Sequence, residues 1–551
     1  MSSVMMRFAL AISALCAVAA LPTRPSGDCV SPSSLTPSTN IFPSQFQISG
    51  TQSSLNKAQV TIAENFDVTY FDTYKVVTNT QVNETYVLYQ CGTQPPSSSS
   101  FSTPVKFFSI PLTSSYIPDT TSAAFYNALL VSDRIGFVTE DVDEPCLQML
   151  ASSTCNLETD YSTKTSVLGT TEVDSEMTYG ASPTQPKAIA FTASGDPGVL
   201  NRVEWLKFLA TFFNKEVLAN SLFNAISSNY QTIATTATSL ANQINAQPKL
   251  MAWITWWPQS YAFADTDGIS FDFPAYKQEF TNDAGAAILN MTYLQPFMNL
   301  TAVPEYPSST SVYIYANQTS ALRQILANVD FVVDSARYYD ASGVGIPDTS
   351  INLAAFLTRY GLSTSDVSTM KFLKNGGLIR LDAQTNPLSY NQWFGSAVVR
   401  PDQVLADFVQ LLYPAQQPLL TTPLSKMPGA TVQVNAPFFL RNVISGPAPT
   451  LLTSTTCPYQ NCALPVSAIC PTVYLACNGS LVYATSTQPC APACPNPSVS
   501  GTYPPTLPSP PQPPPPPLPP SPGRSQAVRP AMGTLVFTLL TGFITSRFYS
   551  Y

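Results

Sequence analysis

The chain has 551 residues, enough for two or more domains, and 25 basic against 33 acidic side chains give a net charge of −8. With only 11% of residues charged, that balance excludes a nucleic-acid partner, which needs a concentrated basic face. Histidine is absent, so Ser-His-Asp chemistry, Cys-His catalysis and His-ligated zinc are excluded as well.

The chain opens on "MSSVMMRFALAISALCAVAALPT", one Arg followed by an apolar run that ends in small residues. That is the layout of a secretory signal peptide over 1–20, too short to span a bilayer. A Ser/Pro/Thr-rich leader follows over 21–50. From "VTIAENFDVTYFDTYKVVTNT" through "ETYVLYQCG", period-two alternation and β-branched residues predict strands. "VKFFSIPL" reads as a buried strand, "DTTSAAFYNALLVSDR" as an N-capped helix, and Arg134 to Thr139 as a further strand. Strand, helix and strand at these lengths predict a βαβ unit and a parallel sheet, so 51–195 is read as an α/β lobe.

"DPGVLNRVEWLKFLATFFNKEVLANSLFNAISSNY" predicts one long helix over 196–230, with Asp196 as N-cap and Pro197 in the first turn. Its apolar face is too broad for one contact surface and must pack on more than one neighbour. A second α/β lobe spans 231–448, with strands at "KLMAWITWW", "VDFVVDSA" and "GGLIRLD" and helices at "TSALRQILAN" and "NLAAFLTRYG". Beyond it lie a six-cysteine module (449–500), a Pro-rich stalk (501–525) and a hydrophobic tail (526–551). The stalk must be extended polyproline II, because its φ angles are fixed and it has almost no amide donors. Small residues, a short polar spacer and an apolar run at the tail match a glycosylphosphatidylinositol signal; a short membrane anchor and a plain tail are the alternatives.

Outside the signal there are ten cysteines: Cys29, Cys91, Cys146, Cys155, Cys457, Cys462, Cys470, Cys477, Cys490 and Cys494. Two even-numbered groups in a secreted chain read as disulfides, and the second group alone allows 15 connectivities. Sequons at Asn83, Asn290, Asn299, Asn317 and Asn478 fit a glycosylated exterior.

Several segments taken together, "FDVTYFDTYKVVTNT", "YVLYQCGTQPP", "FFSIPLTSSYIPDTTSAAFYNALLVSDRIGFVT" and "RVEWLKFLATFFNKEVLANSLF", resemble the cobalamin- and siderophore-type (class III) solute-binding proteins of ABC importers. The match is closer to their extracellular relatives in algae and other eukaryotic microbes. "YKQEFTNDAGA", "NVDFVVDSA", "NQWF" and "FFLRNV" continue it, so that it covers about Val60 to Val443. The resemblance implies a class III periplasmic-binding-protein-like architecture: two α/β lobes joined by a single long interlobe helix, with a small ligand held in the cleft between them.

Without histidine, a bare transition metal would rest on carboxylates alone, so a metal chelate or an organic cofactor is the expected ligand. Such ligands need aromatic walls with a few polar anchors. Trp256, Trp257 and Tyr261 follow a buried strand, Arg337 and Tyr338 follow another, and Trp393 is a further candidate. Arg337 suits a carboxylate or phosphate. From the first lobe, Tyr116, Thr120 and Thr121 lie at a helix N-terminus that suits an anionic group. Core packing is the alternative for each aromatic. "DTDGISFDF" is similar to the acidic stretch of chitinase-like glycosidases, but Pro274 stands at the catalytic Glu position and cannot transfer a proton. No nucleophile–base pair, resident metal site or cofactor is expected.

These readings predict a secreted, surface-anchored and non-enzymatic solute-binding protein that captures a small chelated metal or cofactor. Its partners would be that ligand and a membrane transporter or cell-wall polysaccharide. The alternatives are a structural or adhesive wall glycoprotein and, below it, a carboxylate-dependent extracellular hydrolase.

Overall fold

The computed structural model describes residues 21–36, 41–42, 57–416 and 437–456, except 119, 140–141, 153–154, 156, 158–167, 171–172, 245–246, 260–266, 298–309 and 339–344. It also describes the short antiparallel pair Val473–Leu475 and Leu481–Tyr483. All of these lie in the first of two compact units, Met1–Gly501; the second, Thr502–Tyr551, lies outside the described residues. The six module cysteines, Asn299 and Asn478 also lie outside them.

Alternation along 66–90 produces three antiparallel strands, β1 (Phe66–Tyr70), β2 (Tyr74–Asn79) and β3 (Glu84–Gln90), with β4 (Lys106–Ile110) added parallel to β3. Asn83 makes the β2–β3 turn at φ 54°, a left-handed conformation that Asn tolerates. Cys91 follows β3 and is bonded to Cys29, which ties the leader to this sheet. Cys146 and Cys155 are disulfide-bonded as well. A second sheet, all parallel, has the order β6-β5-β7-β8, with β5 at Ser115–Ile117, β6 at Ile135–Val138, β7 at Ser175–Thr178 and β8 at Ala188–Ala190. Helix α1 (Thr120–Ala128) connects β5 to β6, so the expected βαβ unit is present. Its first strand is β5, however, and not the "VKFFSIPL" run. That run ends at Ile110, where Pro111 turns the chain out of the first sheet and Leu112 donates its amide to Phe212 instead.

The expected helix over 196–230 is three helices: α2 (Val199–Val203), α3 (Trp205–Thr211) and α4 (Glu216–Ile244). Asp196 is not an N-cap. Its carboxylate accepts the Glu64 and Asn65 amides and the Trp205 indole, while Glu279 accepts the Val199 amide at the head of α2. Every residue of α3 is buried, as an all-round apolar helix must be. Asn214 breaks the helix at φ 55°, with the Lys215 amide reaching back to the Ala210 carbonyl in a left-handed C-cap.

Helix α4 then starts in a new direction and runs fourteen residues past Tyr230, to Ile244. Its inner stripe (Leu222, Ile226, Tyr230, Ile233, Ala237 and Leu240) recurs every three or four residues and is buried. The hydroxyls of Thr232, Thr235, Thr236 and Ser239 on its outer face each return to the carbonyl four residues back. The start of α4 is fixed by Lys75 of β2, fully buried, whose ammonium pairs with Glu216 and donates to the Thr211 carbonyl (2.8 Å) and Asn214 Oδ1 (2.7 Å). Farther along, Tyr230 donates to Asp283 at 2.7 Å. Gly285, at φ +76°, lets the chain approach closely enough that a Cβ there would lie 2.7 Å from that of Ala241.

The C-terminal half is built on a sheet of order β12-β10-β9-β13-β14-β16. Central β9 (Lys249–Trp257) pairs antiparallel with β10 (Gly268–Asp272), parallel with the short β11 (Ala286–Ile288) and parallel with β13 (Phe331–Asp334). Strand β12 (Ser311–Tyr315) is antiparallel to β10, β14 (Leu378–Arg380) is parallel to β13, and β16 (Arg441–Asn442) closes the edge. The three strands expected here are present, as are the two expected helices, α6 (Thr319–Leu326) and α7 (Leu353–Arg359). The glycosidase-like "DTDGISFDF" stretch contains strand β10. Helices α5 (Ala275–Asp283), α8 (Ser396–Val399) and α9 (Pro401–Leu412) complete this half; α9 packs along α4 and α8 against α1 and α2. One apolar core runs through both halves, from Phe66 to Leu440. Asn83 and Asn317 sit exposed at turns, as glycan acceptors require, and Asn290 caps a short helix through Tyr293.

Replacing Lys75 by Met would leave Glu216 buried without its cation, a loss of about 3–5 kcal/mol. Urea denaturation should show that loss, together with reduced protection of the first turns of α4 in hydrogen exchange.

Candidate functional site: the seam between the halves

In α/β sheets, ligands gather at the C-terminal ends of the parallel strands, and here β5 and β6 of the first half and β13 and β14 of the mixed second sheet direct those ends to one seam. From the first half come the start of α1, after β5, and the loop after β6. Thr121 donates its hydroxyl to the Phe394 carbonyl, and Asn386 Nδ2 donates to Val142 O at 3.0 Å. Ser396 Oγ lies 3.4 Å from Glu144 Oε1 and also bonds Gln392. Asp143 fits so closely against Gly395 that a Cβ there would lie 2.6 Å from its Oδ2. From the second half, therefore, the loop 384–396 fills the seam. Burial pushes the Glu144 carboxyl up to about 7, against the opposing effect of Ser396.

Beneath that loop, at the C-terminal ends of β13 and β14, lies a sealed ionic cluster. Arg380 pairs with Asp334 (2.6 Å), Asp382 (2.6 Å) and Asp348 (3.3 Å), and Arg441 pairs with Asp382 at 2.6 Å. Tyr338 and Tyr360 donate to the two oxygens of Asp334 at 2.9 and 2.7 Å. All seven side chains are buried. Burial, reinforced by Asp334, holds both tyrosine hydroxyls protonated. Burial alone would raise Asp382, but Arg380 and Arg441 outweigh it and hold this carboxyl below its ordinary value. Asp348 has only one flank of this cluster, and burial together with the Asp382 charge pushes it up to about 7 despite Arg380. Among the described residues, no group of three or more His, Cys, Asp or Glu could hold a metal ion.

The expected site residues divide by position. Thr120, Thr121 and Trp393 are brought to the seam, although Trp393 turns inward onto Trp253 and Phe280 with ring centres 5.8 and 6.0 Å apart. Arg337 reaches the loop itself, donating to Leu388 O at 2.7 Å and lying 4.6 Å over the Tyr390 ring. Trp256 and Tyr338 flank Arg359, whose guanidinium carbon stands 4.1 and 5.0 Å from their rings. Trp257 is not part of that group: its indole donates to Ser270 at 2.9 Å on the face shared with β10. Tyr116 is fully buried among Leu168 and Val173, away from the seam. Tyr261 lies outside the described residues.

Glu144, Asn386, Gln392, Ser396, Arg359 and the charged members of the Arg380 cluster were not among the expected residues, whereas Tyr338 of that cluster was. Only Arg380 and Asp382 left a trace in the sequence, as charges alternating with Leu378, Ile379 and Leu381 in a strand-like run.

No family model matches this chain, and no curated protein matches it. Among solved structures it is similar to Helicobacter pylori CeuE with Ni(II) bound, at 8% identity over 58% of this chain and 90% of that one, TM-score 0.36. A periplasmic heme binding protein from Pseudomonas aeruginosa is similar at 13% identity over 55% and 93%, TM-score 0.36. A periplasmic binding protein from Veillonella parvula is similar at 11% identity over 64% and 98%, TM-score 0.35. At such identities every site residue must be argued from this chain alone.

Replacing Arg380 by Met would leave three buried carboxylates to share Arg441, at a cost of about 3–5 kcal/mol near neutral pH. Asp348, raised to about 7 by burial and the Asp382 charge, sheds its charge in acid, so denaturation at pH 5 should show a smaller loss than at pH 8.

Proposed function

We propose that this chain is a non-enzymatic solute-binding protein that takes a small chelated metal or cofactor into the seam between its halves. The observation that carries the reading is the convergence of parallel strands from both halves on that seam, with Thr121, Trp393 and Arg337 contributed from its two sides. The halves act as two lobes, and α4 is the strut between them, clamped at Lys75 in the first and packed on α9 and Asp283 in the second. A guanidinium held on the Tyr390 ring suits an anionic group of the ligand, and the Tyr390 ring beneath it supplies an apolar surface. Export and a C-terminal tether belong to the same reading, resting on the signal-like N-terminus, the Cys29–Cys91 disulfide and the tail pattern. No helix among the described residues is long and apolar enough to cross a membrane.

A wall-glycoprotein role is the second reading, favoured by how completely the loop 384–396 fills the seam and by the exposed sequons at Asn83 and Asn317.

The test is a titration of the secreted, glycosylated chain with ferric siderophores, corrinoids and haem, followed by tryptophan fluorescence and melting temperature. One of these should quench saturably and, at a hundredfold excess over Kd, stabilise the chain by about 2.7 kcal/mol. Arg337→Ala should weaken that binding. Silence across the panel, with retention on wall polysaccharide, selects the second reading.

A further inference from the structure

The loop 384–396 is held on both sides by buried carboxyls. On one side Asp348 Oδ2 accepts the Thr385 hydroxyl at 2.9 Å, and the Asp348 amide donates to Ser389 Oγ at 3.2 Å. On the other side Glu144, from the first half, accepts from Ser396, whose hydroxyl also bonds Gln392. The charged groups around Asp348 are Arg380 on β14, Arg441 on β16, Asp382 beside them and Asp334 across Arg380. These are three carboxylates and two guanidiniums, all buried, and Arg359 stands 5.0 Å from the Tyr338 ring. Glu144 has Asp143 beside it, and the charged groups of the adjoining α8–α9 segment, Arg400 and Asp402, pair with each other at 3.0 Å. The facing groups named here on the second half are hydroxyl and amide, so an ionised Glu144 would be a buried charge without a salt bridge to them.

We propose that the loop 384–396 is an acid-held latch between the two halves, which lets go of the first half as the pH rises. Burial and the Asp382 charge keep the proton on Asp348 while Thr385 and Ser389 hold one end of the loop. The proton on Glu144 lets the β6–α1-side wall of the seam close on Ser396 at the other end. Both carboxyls are raised above their ordinary values by burial, to about 7 in each case. The sign follows: a raised carboxyl favours the closed form fully below its ordinary value, and that contribution is lost as pH rises to and through about 7. When the latch opens, the contacts from Asn386 to Val142 and from Thr121 to Phe394 open with it, and the seam becomes accessible. The latch requires no ligand, so it stands or falls separately from the solute-binding reading.

The experiment is hydrogen–deuterium exchange on the full secreted chain without ligand, from about pH 5 to about pH 8, corrected for intrinsic exchange. Peptides covering 384–396 and 142–150 should open more readily with pH, by roughly tenfold per pH unit for each titrating carboxyl until about 7, while β9 stays protected. Asp348→Asn and Glu144→Gln keep an oxygen for Thr385 and Ser396 but carry no proton to lose. Flattening of the dependence in either variant supports the latch, and Glu144→Gln alone suffices if the Asp348 variant does not fold. An equal pH dependence in wild type and both variants, or none in wild type, overturns it.

Discussion

A buried ammonium decides the direction of the longest helix in this protein. Lys75 sits under the point where α3 ends and α4 begins, and it holds the Thr211 carbonyl, the Asn214 side chain and the Glu216 carboxylate together. A buried pair of this kind adds little net stability over apolar residues of the same shape, but removing one partner is costly, so what it secures is geometry. With α4 aimed this way, its buried face from Leu222 to Ala241 reaches α9 and Gly285 in the second half. The apolar core is continuous across both halves as a consequence.

The seam follows from the same geometry. Parallel strands of the two halves end at a common seam, and residues 384–396 fill the space between them. The strand-end position of the second sheet, where a ligand would have free backbone amides in a simpler α/β fold, is occupied by Arg380 and its carboxylates. Polar chemistry at this place is thus turned inward, and the surfaces left toward the seam are aromatic, hydroxyl and amide. That combination suits capture of a preformed chelate or cofactor more than catalysis, because each buried carboxylate of the Arg380 cluster is already held by guanidinium or hydroxyl groups.

Local pattern revealed much of this architecture. Runs such as Lys249–Trp257 and Phe331–Asp334 are apolar because both faces of a parallel sheet are covered, and they read directly as strands. The break at Asn214 was not legible, because an Asn that takes a left-handed turn looks like any other Asn within a helical stripe. The extension of α4 was hidden by "TIATTATS", poor helix formers whose outward hydroxyls bond back to their own helix while Ile233, Ala237 and Leu240 keep the inner spacing. The seam contacts were the least legible. Glu144 and Ser396 are 252 residues apart, and no local period records which loops a folded chain will bring together.

We propose α4 as a rigid strut between two lobes that share a seam. Its most direct test is a pulsed electron–electron distance measurement between spin labels at the exposed positions Thr80 and Ser320, one in each half, recorded at acid pH. A rigid strut gives one narrow distance distribution, unchanged within a few ångströms when a bound chelate or cofactor is present. A broad distribution, or a large shift between free and bound protein, would show that α4 does not fix the halves and would contradict it.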